Sequence, residues 1–165
     1  MKLNKTSLSI ILSMLCLQFI FADAPDWLST DFGSYNDQFL MVPQVNINGT
    51  QTGESGDLLG AFSGDEVRGV SEGVTVTFGP NSGKLFFDIT MWDNAPADET
   101  ITFKFYDLSA DGIIDLNESY PYQAGVTLGN MFTPETLTGD CVEDGAGECV
   151  LSIVHISSNP SEFTI

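Results

Sequence analysis

The chain is poor in positive charge: five Lys and Arg side chains stand against 23 Asp and Glu, a formal net charge of −18. Lys2 and Lys5 lie at the extreme N-terminus, so the body of the chain has only Arg68, Lys84 and Lys104. Nucleic acid and anionic membrane surfaces would repel such a chain, and both are disfavoured as partners. Histidine is nearly absent too. His155 is alone, on an apolar stretch where a packed or edge position suits it better than general-base work. There is no Cys/His pair, no zinc-binding helix and no Gly-x-Ser-x-Gly elbow. Two carboxylates could in principle hydrolyse a glycosidic bond, but among so many acids such a pair proves nothing without a cleft. A small hydrolase is therefore the weakest reading, and the chain is read as noncatalytic.

Long apolar runs are confined to the N-terminus. Residues 1–22 have the layout of a secretion signal: Lys2 and Lys5, then a mainly apolar stretch from Ser7 to Phe21, then the small residue Ala22. A retained membrane anchor is the alternative, but the run falls short of the roughly 20 residues of a spanning helix and no positive cluster follows it. No membrane insertion is expected of the remainder, residues 23–165. That length suits a single domain with a real core. Its acidic excess points to a secreted or cell-surface location, although acidity can also serve solubility alone.

Cysteine is scarce. With Cys16 inside the signal, Cys141 and Cys149 remain as an even pair in an oxidising compartment. The loop between them is acidic and glycine-rich, so a disulfide can close there. Two thiols or a metal site are the alternatives, the latter short of partners.

Helical periodicity is lacking, and short runs of β character fill the chain. Gln38–Val42 and Val45–Ile47 flank Pro43, which belongs at an edge or bulge because proline donates no ladder hydrogen bond. Further strands are expected over Asp57–Phe62, Glu66–Val70, Val74–Phe78, Lys84–Met91 and Thr100–Tyr106, separated by Gly-, Pro- and Asn-rich turns. The pattern thins from Asp107 to Gly139 and returns over Val150–Ile156. The expected fold is all-β, an antiparallel β-sandwich of Ig-like or jelly-roll-like type, with a barrel as the alternative closure. The sandwich would span residues 23–140, and residues 141–165 would form a disulfide-stapled strand and tail.

Trp27, the strand containing Met41, the core AFSGDEVRGV within Asp57–Val70, the strand GKLFFDITMW and the segment ETITFKFYD follow in a recognisable order. Together they resemble a β-sandwich module recurring in large secreted and cell-surface proteins of marine and gut bacteria, over roughly Trp27 to Leu137. The resemblance implies an extracellular, repeat-forming or surface-associated domain, and no catalytic residues or ligand.

Several constellations carry possible chemistry. Glu66 and Arg68 stand two apart and would project from one strand face, the guanidinium bridging Glu66 to a carboxylate such as Asp57 or Asp107. That is a structural ion pair; a grip on an anionic ligand is the alternative. Asp107, Asp111 and Asp115 surround a glycine in an oxygen-rich segment suited to structural Ca²⁺, though without the EF-hand spacing. A second acidic group, Asp140, Glu143, Asp144 and Glu148, surrounds the cysteines. Asn48 and Asn117 begin glycosylation triplets in expected turns. Trp92, Asp93 and Asn94 combine a flat ring with hydrogen-bonding groups and could stack on a sugar, unless Trp92 caps the core. Trp27 is expected to plug one end.

Three roles follow. The first is a noncatalytic extracellular binding or adhesion module for a carbohydrate or an extracellular protein, with Ca²⁺ as a stabiliser. The second is a structural subunit that self-associates through strand edges into a filament or matrix, with Val150–Ile165 as the linking arm. The hydrolase is third.

Overall fold

The computed structural model describes residues 24–94, 99–143 and 149–150, with residues 142–143 and 149–150 as backbone only. The expected signal, the tail beyond Val150 with His155, and Asp144 and Glu148 lie outside the described residues. A short 3₁₀ turn, Asp26–Ser29, is followed by thirteen strands: β1 Asp37–Met41, β2 Pro43–Ile47, β3 Thr50–Thr52, β4 Leu58–Ser63, β5 Glu66–Thr75, β6 Leu85–Phe87, β7 Ile89–Asp93, β8 Thr100–Asp107, β9 Gly112–Pro121, β10 Thr127–Leu128, β11 Glu135–Gly139, β12 Val142–Glu143 and β13 Cys149–Val150. The fold is all-β. Among the described residues no helix is long and apolar enough to cross a membrane.

The largest sheet has five strands in the order β6-β5-β4-β8-β9, all antiparallel. Two three-stranded sheets, β10-β1-β7 and β11-β2-β3, complete most of the frame, with β12-β13 a separate ribbon. Each three-stranded sheet holds one parallel pair, β1 with β10 and β2 with β11. The expected antiparallel pattern therefore needs correcting at two pairings.

The chain passes directly from one sheet to another at two places. At Val42 it passes from β1 to β2, and Pro43 opens β2 as its first residue, a position that tolerates its missing N–H. At exposed Asp88 it passes from β6 to β7, dividing the stretch expected as one strand from Lys84 to Met91. Two other expected strands merge: Glu66–Val70 and the start of Val74–Phe78 form β5, because Ser71-Glu72-Gly73 continues the ladder rather than turning. The thin-patterned segment after Asp107 supplies β9, with Ile114 and Leu116 inward and Ile113, Asp115 and Asn117 outward.

One core takes side chains from all three larger sheets. Phe39 and Met41 of β1, Val45 of β2, Phe87 of β6, Met91 of β7, Phe103 and Phe105 of β8 and Leu137 of β11 are all within 1% of complete burial. Each such side chain contributes about 1.5–3 kcal/mol by leaving water. Ring edges meet ring faces at Phe39–Tyr122 and Phe87–Phe105, with centroids 5.9 and 6.1 Å apart. A second, smaller cluster lies around Leu58, Phe62 and Tyr106. Trp27 packs there edge-to-face on Phe62 at 5.3 Å, over Gly60, where a Cβ would meet Trp27 Cε3 at 2.9 Å. Trp27 thus covers a glycine window on β4 rather than plugging an end of the main core.

Candidate functional site

A bulge positions Arg68. Ala61 pairs with Gly69 and Phe62 with Val67, so Arg68 is the extra residue, and a bulge re-aims its side chain. Arg68 is consequently buried while Glu66 stays exposed. Its Nη2 lies 3.4 Å from Glu66 and 3.1 Å from Glu99, its Nη1 lies 4.0 Å from buried Asp93, and its guanidinium stacks 4.9 Å from the Tyr35 ring centroid. Tyr35 in turn donates its hydroxyl to Glu66 at 2.6 Å. Burial alone would lower the Arg68 pKa; attraction from Asp93, Tyr35, Glu66 and Glu99 outweighs it and holds the pKa above its ordinary value. The Glu66–Arg68 pair is present as expected, but its further partners are Glu99 and Asp93, not Asp57 or Asp107.

Asp57 and Asp107 belong to a different place. Asp57 is 1% exposed and accepts hydrogen bonds from the backbone amides of Glu54, at 2.7 Å, and Leu108, at 2.9 Å, so it ties the turn before β4 to the turn after β8. Burial raises its pKa, against the opposing effect of those two amides. Ligand oxygens of Glu54, Asp57 and Asp107 lie within 4.8 Å of one another. They border a depression of about 200 Å³ together with Thr52, Gly53 and Ser109. Of the expected Ca²⁺ ligands, Asp107 alone is in this cluster. Asp111 accepts the Tyr106 hydroxyl at 3.0 Å, and Asp115 sits on the outer face of β9, 2.8 Å from Lys104.

The Trp92-Asp93-Asn94 constellation is largely committed elsewhere. Trp92 is half-buried on β7, opposite Gln38 and outside both core clusters. Asp93 is buried beside Arg68. The Asn94 side chain accepts from the Asn36 backbone and amide at 3.0 and 2.9 Å and donates to the Ser34 carbonyl at 3.2 Å.

Asn48 lies in the β2–β3 turn, as expected of a glycosylation site, with φ 50° followed by Gly49 at 78°. Its amide exchanges two hydrogen bonds with the Cys141 backbone, both 3.1 Å. Asn117 is on β9 rather than in a turn, with its amide 3.2 Å from Thr138 Oγ1. The expected Cys141–Cys149 disulfide involves the Cys149 side chain, which lies outside the described residues; the backbone pairs Glu143 with Cys149.

Sequence reasoning passes over the rings that are most exposed among the described residues. Phe78 and Phe132 are 65% and 60% exposed, yet they form an edge-to-face pair with centroids 6.3 Å apart. The loops beneath are firmly built. Buried Asn81 donates its amide to the carbonyls of Met131, at 3.0 Å, and Phe132, at 3.1 Å, and accepts from Lys84 Nζ at 3.1 Å. Asn130 accepts from the amides of Phe132 and Thr133 at 2.9 and 3.0 Å. The signal was partial: Phe132 stands among Asn, Met and Pro outside any expected strand, whereas Phe78 reads as the last inward position of the strand expected over Val74–Phe78.

Comparison with known proteins gives no matching family model, no matching curated protein and no matching solved structure.

Proposed function

We propose that the chain is a noncatalytic extracellular binding or adhesion module, exported by a cleaved signal at residues 1–22 and folded as a two-layer β-sandwich. Its ligand is a carbohydrate or an extracellular protein. The observation that carries this reading is the Phe78–Phe132 pair, two apolar rings held in water by a buried amide that locks both loops. Rigid exposed aromatics give contact area at little entropic cost, which is what a binding surface needs. Ca²⁺ is the proposed stabiliser. The Glu54, Asp57 and Asp107 cluster supplies hard oxygen donors for it, and cation binding would offset the repulsion among those carboxylates.

The test is solid-phase binding of the labelled secreted chain to polysaccharide-coated and extracellular-protein-coated surfaces. Retention on either, lost in the F78A/F132A double variant with an unchanged melting temperature, supports the reading. No retention on any such surface overturns it.

A further inference from the structure

Outside residues 1–22, the three longest stretches without Asp or Glu are 38–53, 73–87 and 119–134. The fold brings them together. β1 pairs with β10 through Leu40–Thr127 and Met41–Leu128, joining the first stretch to the third. Gln51 donates its amide to the Leu85 carbonyl at 3.2 Å, joining the first to the second. Asn81 and the Phe78–Phe132 rings join the second to the third. On a chain this acidic the result is a surface built from segments that contain no carboxylates.

This surface has two adjoining parts. One is the ring pair. The other is a depression of about 180 Å³ lined by Gln51, Thr52, Gly53, Gly83, Lys84 and Leu85. Lys84 borders both, since its ammonium and the Phe132 carbonyl are bonded to the same Asn81 amide. Arg68 and Lys104 each have carboxylate partners, whereas among the described residues no carboxylate lies within ion-pair distance of Lys84.

The structure assigns this surface to a neutral glycan, which would lay a pyranose face on the Phe78 and Phe132 rings and its hydroxyls against Gln51, Thr52 and Lys84. The assignment rests on the binding-module reading and names its ligand. Three alternatives fit less well. The net charge of −18 repels a polyanion, and one lysine does not offset it. A polycation would be drawn to the carboxylates elsewhere. A stable protein partner needs roughly 800 Å² on each side with an apolar centre, more than two rings beside a polar depression provide. A sugar needs only apolar faces for its C–H groups and polar groups at their edge.

The experiment is an array of neutral oligosaccharides (cello-, xylo- and manno-series) and anionic ones (uronate and sulfated), followed by titration calorimetry on the strongest neutral probe. The secreted chain is expected to retain neutral probes with affinity little changed between 50 and 500 mM salt. F78A and F132A should each weaken binding at least tenfold, F78W should restore it, and W92A should leave it within twofold, with melting temperatures checking that each variant is folded. Neutral binding unaffected by the Phe variants overturns the location while leaving the binding-module reading intact. Retention of anionic probes alone overturns the ligand class. Retention of no glycan overturns the inference; the protein-coated surfaces then decide the broader reading separately.

Discussion

Arg68 on β5 reaches Glu99, at the entry to β8, with one guanidinium nitrogen 3.1 and 3.3 Å from the two carboxylate oxygens. Both Glu99 and Glu66 are substantially exposed, so neither pair is worth more than about 1 kcal/mol alone. Asp93 is different: its side chain is 8% exposed, and the arginine beside it is the cation that makes its burial tolerable.

Arg68→Ala should therefore cost about 2–4 kcal/mol, because it leaves Asp93 buried beside no cation. Glu66→Ala and Glu99→Ala should each cost under about 1 kcal/mol. Urea unfolding of the three variants checks the ordering. A loss for Arg68→Ala no larger than for Glu99→Ala would show that the burial of Asp93 does not depend on the guanidinium.

Asp57 makes stability depend on pH in a stated direction. Its folded pKa is raised, chiefly by burial, so the folded state binds the proton more tightly than the unfolded chain. The resulting contribution is fully present below the ordinary carboxylate pKa near 3.8 and is lost as pH rises through the raised folded value. Asp57→Asn removes the titration and, with a single acceptor oxygen, satisfies only one of the Glu54 and Leu108 amides, at a cost of about 1–2 kcal/mol. The stability gap between the native protein and Asp57→Asn should narrow as pH rises from 3.5 to 7, measured by urea unfolding with chelator present. A gap that widens over that range contradicts the assignment.

The all-β class was legible because alternation in Ile101-Thr102-Phe103-Lys104-Phe105 is strict, and β8 appears nearly as bounded from it. Strand breaks were less legible. Asp88 looks like any outward residue, yet it is where the chain leaves one sheet for another, a change set by tertiary packing and invisible to periodicity. β9 was hidden because Asp115, Asn117 and Glu118 read as loop or calcium ligands, whereas the strand turns Asp115 outward to Lys104 and brings Asn117 and Glu118 to Thr138. The Arg68–Glu66 pair follows from spacing, but Glu99 and Asp93 join it only through the bulge and the return of distant strands. Asp57 and Glu54 meet Asp107 across the sheet, a proximity no local spacing contains.

Gly69 marks the closest approach between β5 and β7. A Cβ there would lie 2.4 Å from the Thr90 carbonyl oxygen and 3.2 Å from Met91 Cα, all backbone atoms that cannot swing aside. Gly69→Ala should thus force the two strands apart and cost about 1–3 kcal/mol or more. Gly83→Ala is the contrast: at φ +87° its cost is conformational, about 1–2 kcal/mol, and its Cβ meets nothing within 4 Å. Unfolding free energies rank the two. Near-ultraviolet circular dichroism, which reports aromatic packing, should change for Gly69→Ala and not for Gly83→Ala. An unperturbed Gly69→Ala protein would mean that β5 and β7 are not in backbone contact.

The proposed calcium effect depends on which carboxylates are brought together. Oxygens of Glu54, Asp57 and Asp107 within 4.8 Å of one another suit a cation whose ligand distances are about 2.3–2.6 Å. With one oxygen from each, the three carboxylates supply three of the six to eight oxygens Ca²⁺ takes, so water would complete the shell and affinity should be in the range of about 10⁻⁴–10⁻³ M found for extracellular modules. Millimolar Ca²⁺ should then raise the melting temperature over chelator by a few degrees, an effect abolished by Asp107→Asn or Glu54→Gln. Asp115→Asn should leave the shift in place, because Asp115 faces outward on β9, outside the cluster, and is held by Lys104 directly opposite on β8. A midpoint that is the same in chelator and in millimolar Ca²⁺ removes the ion from the account. A shift that survives Asp107→Asn and disappears with Asp115→Asn moves it to the outer face of β9.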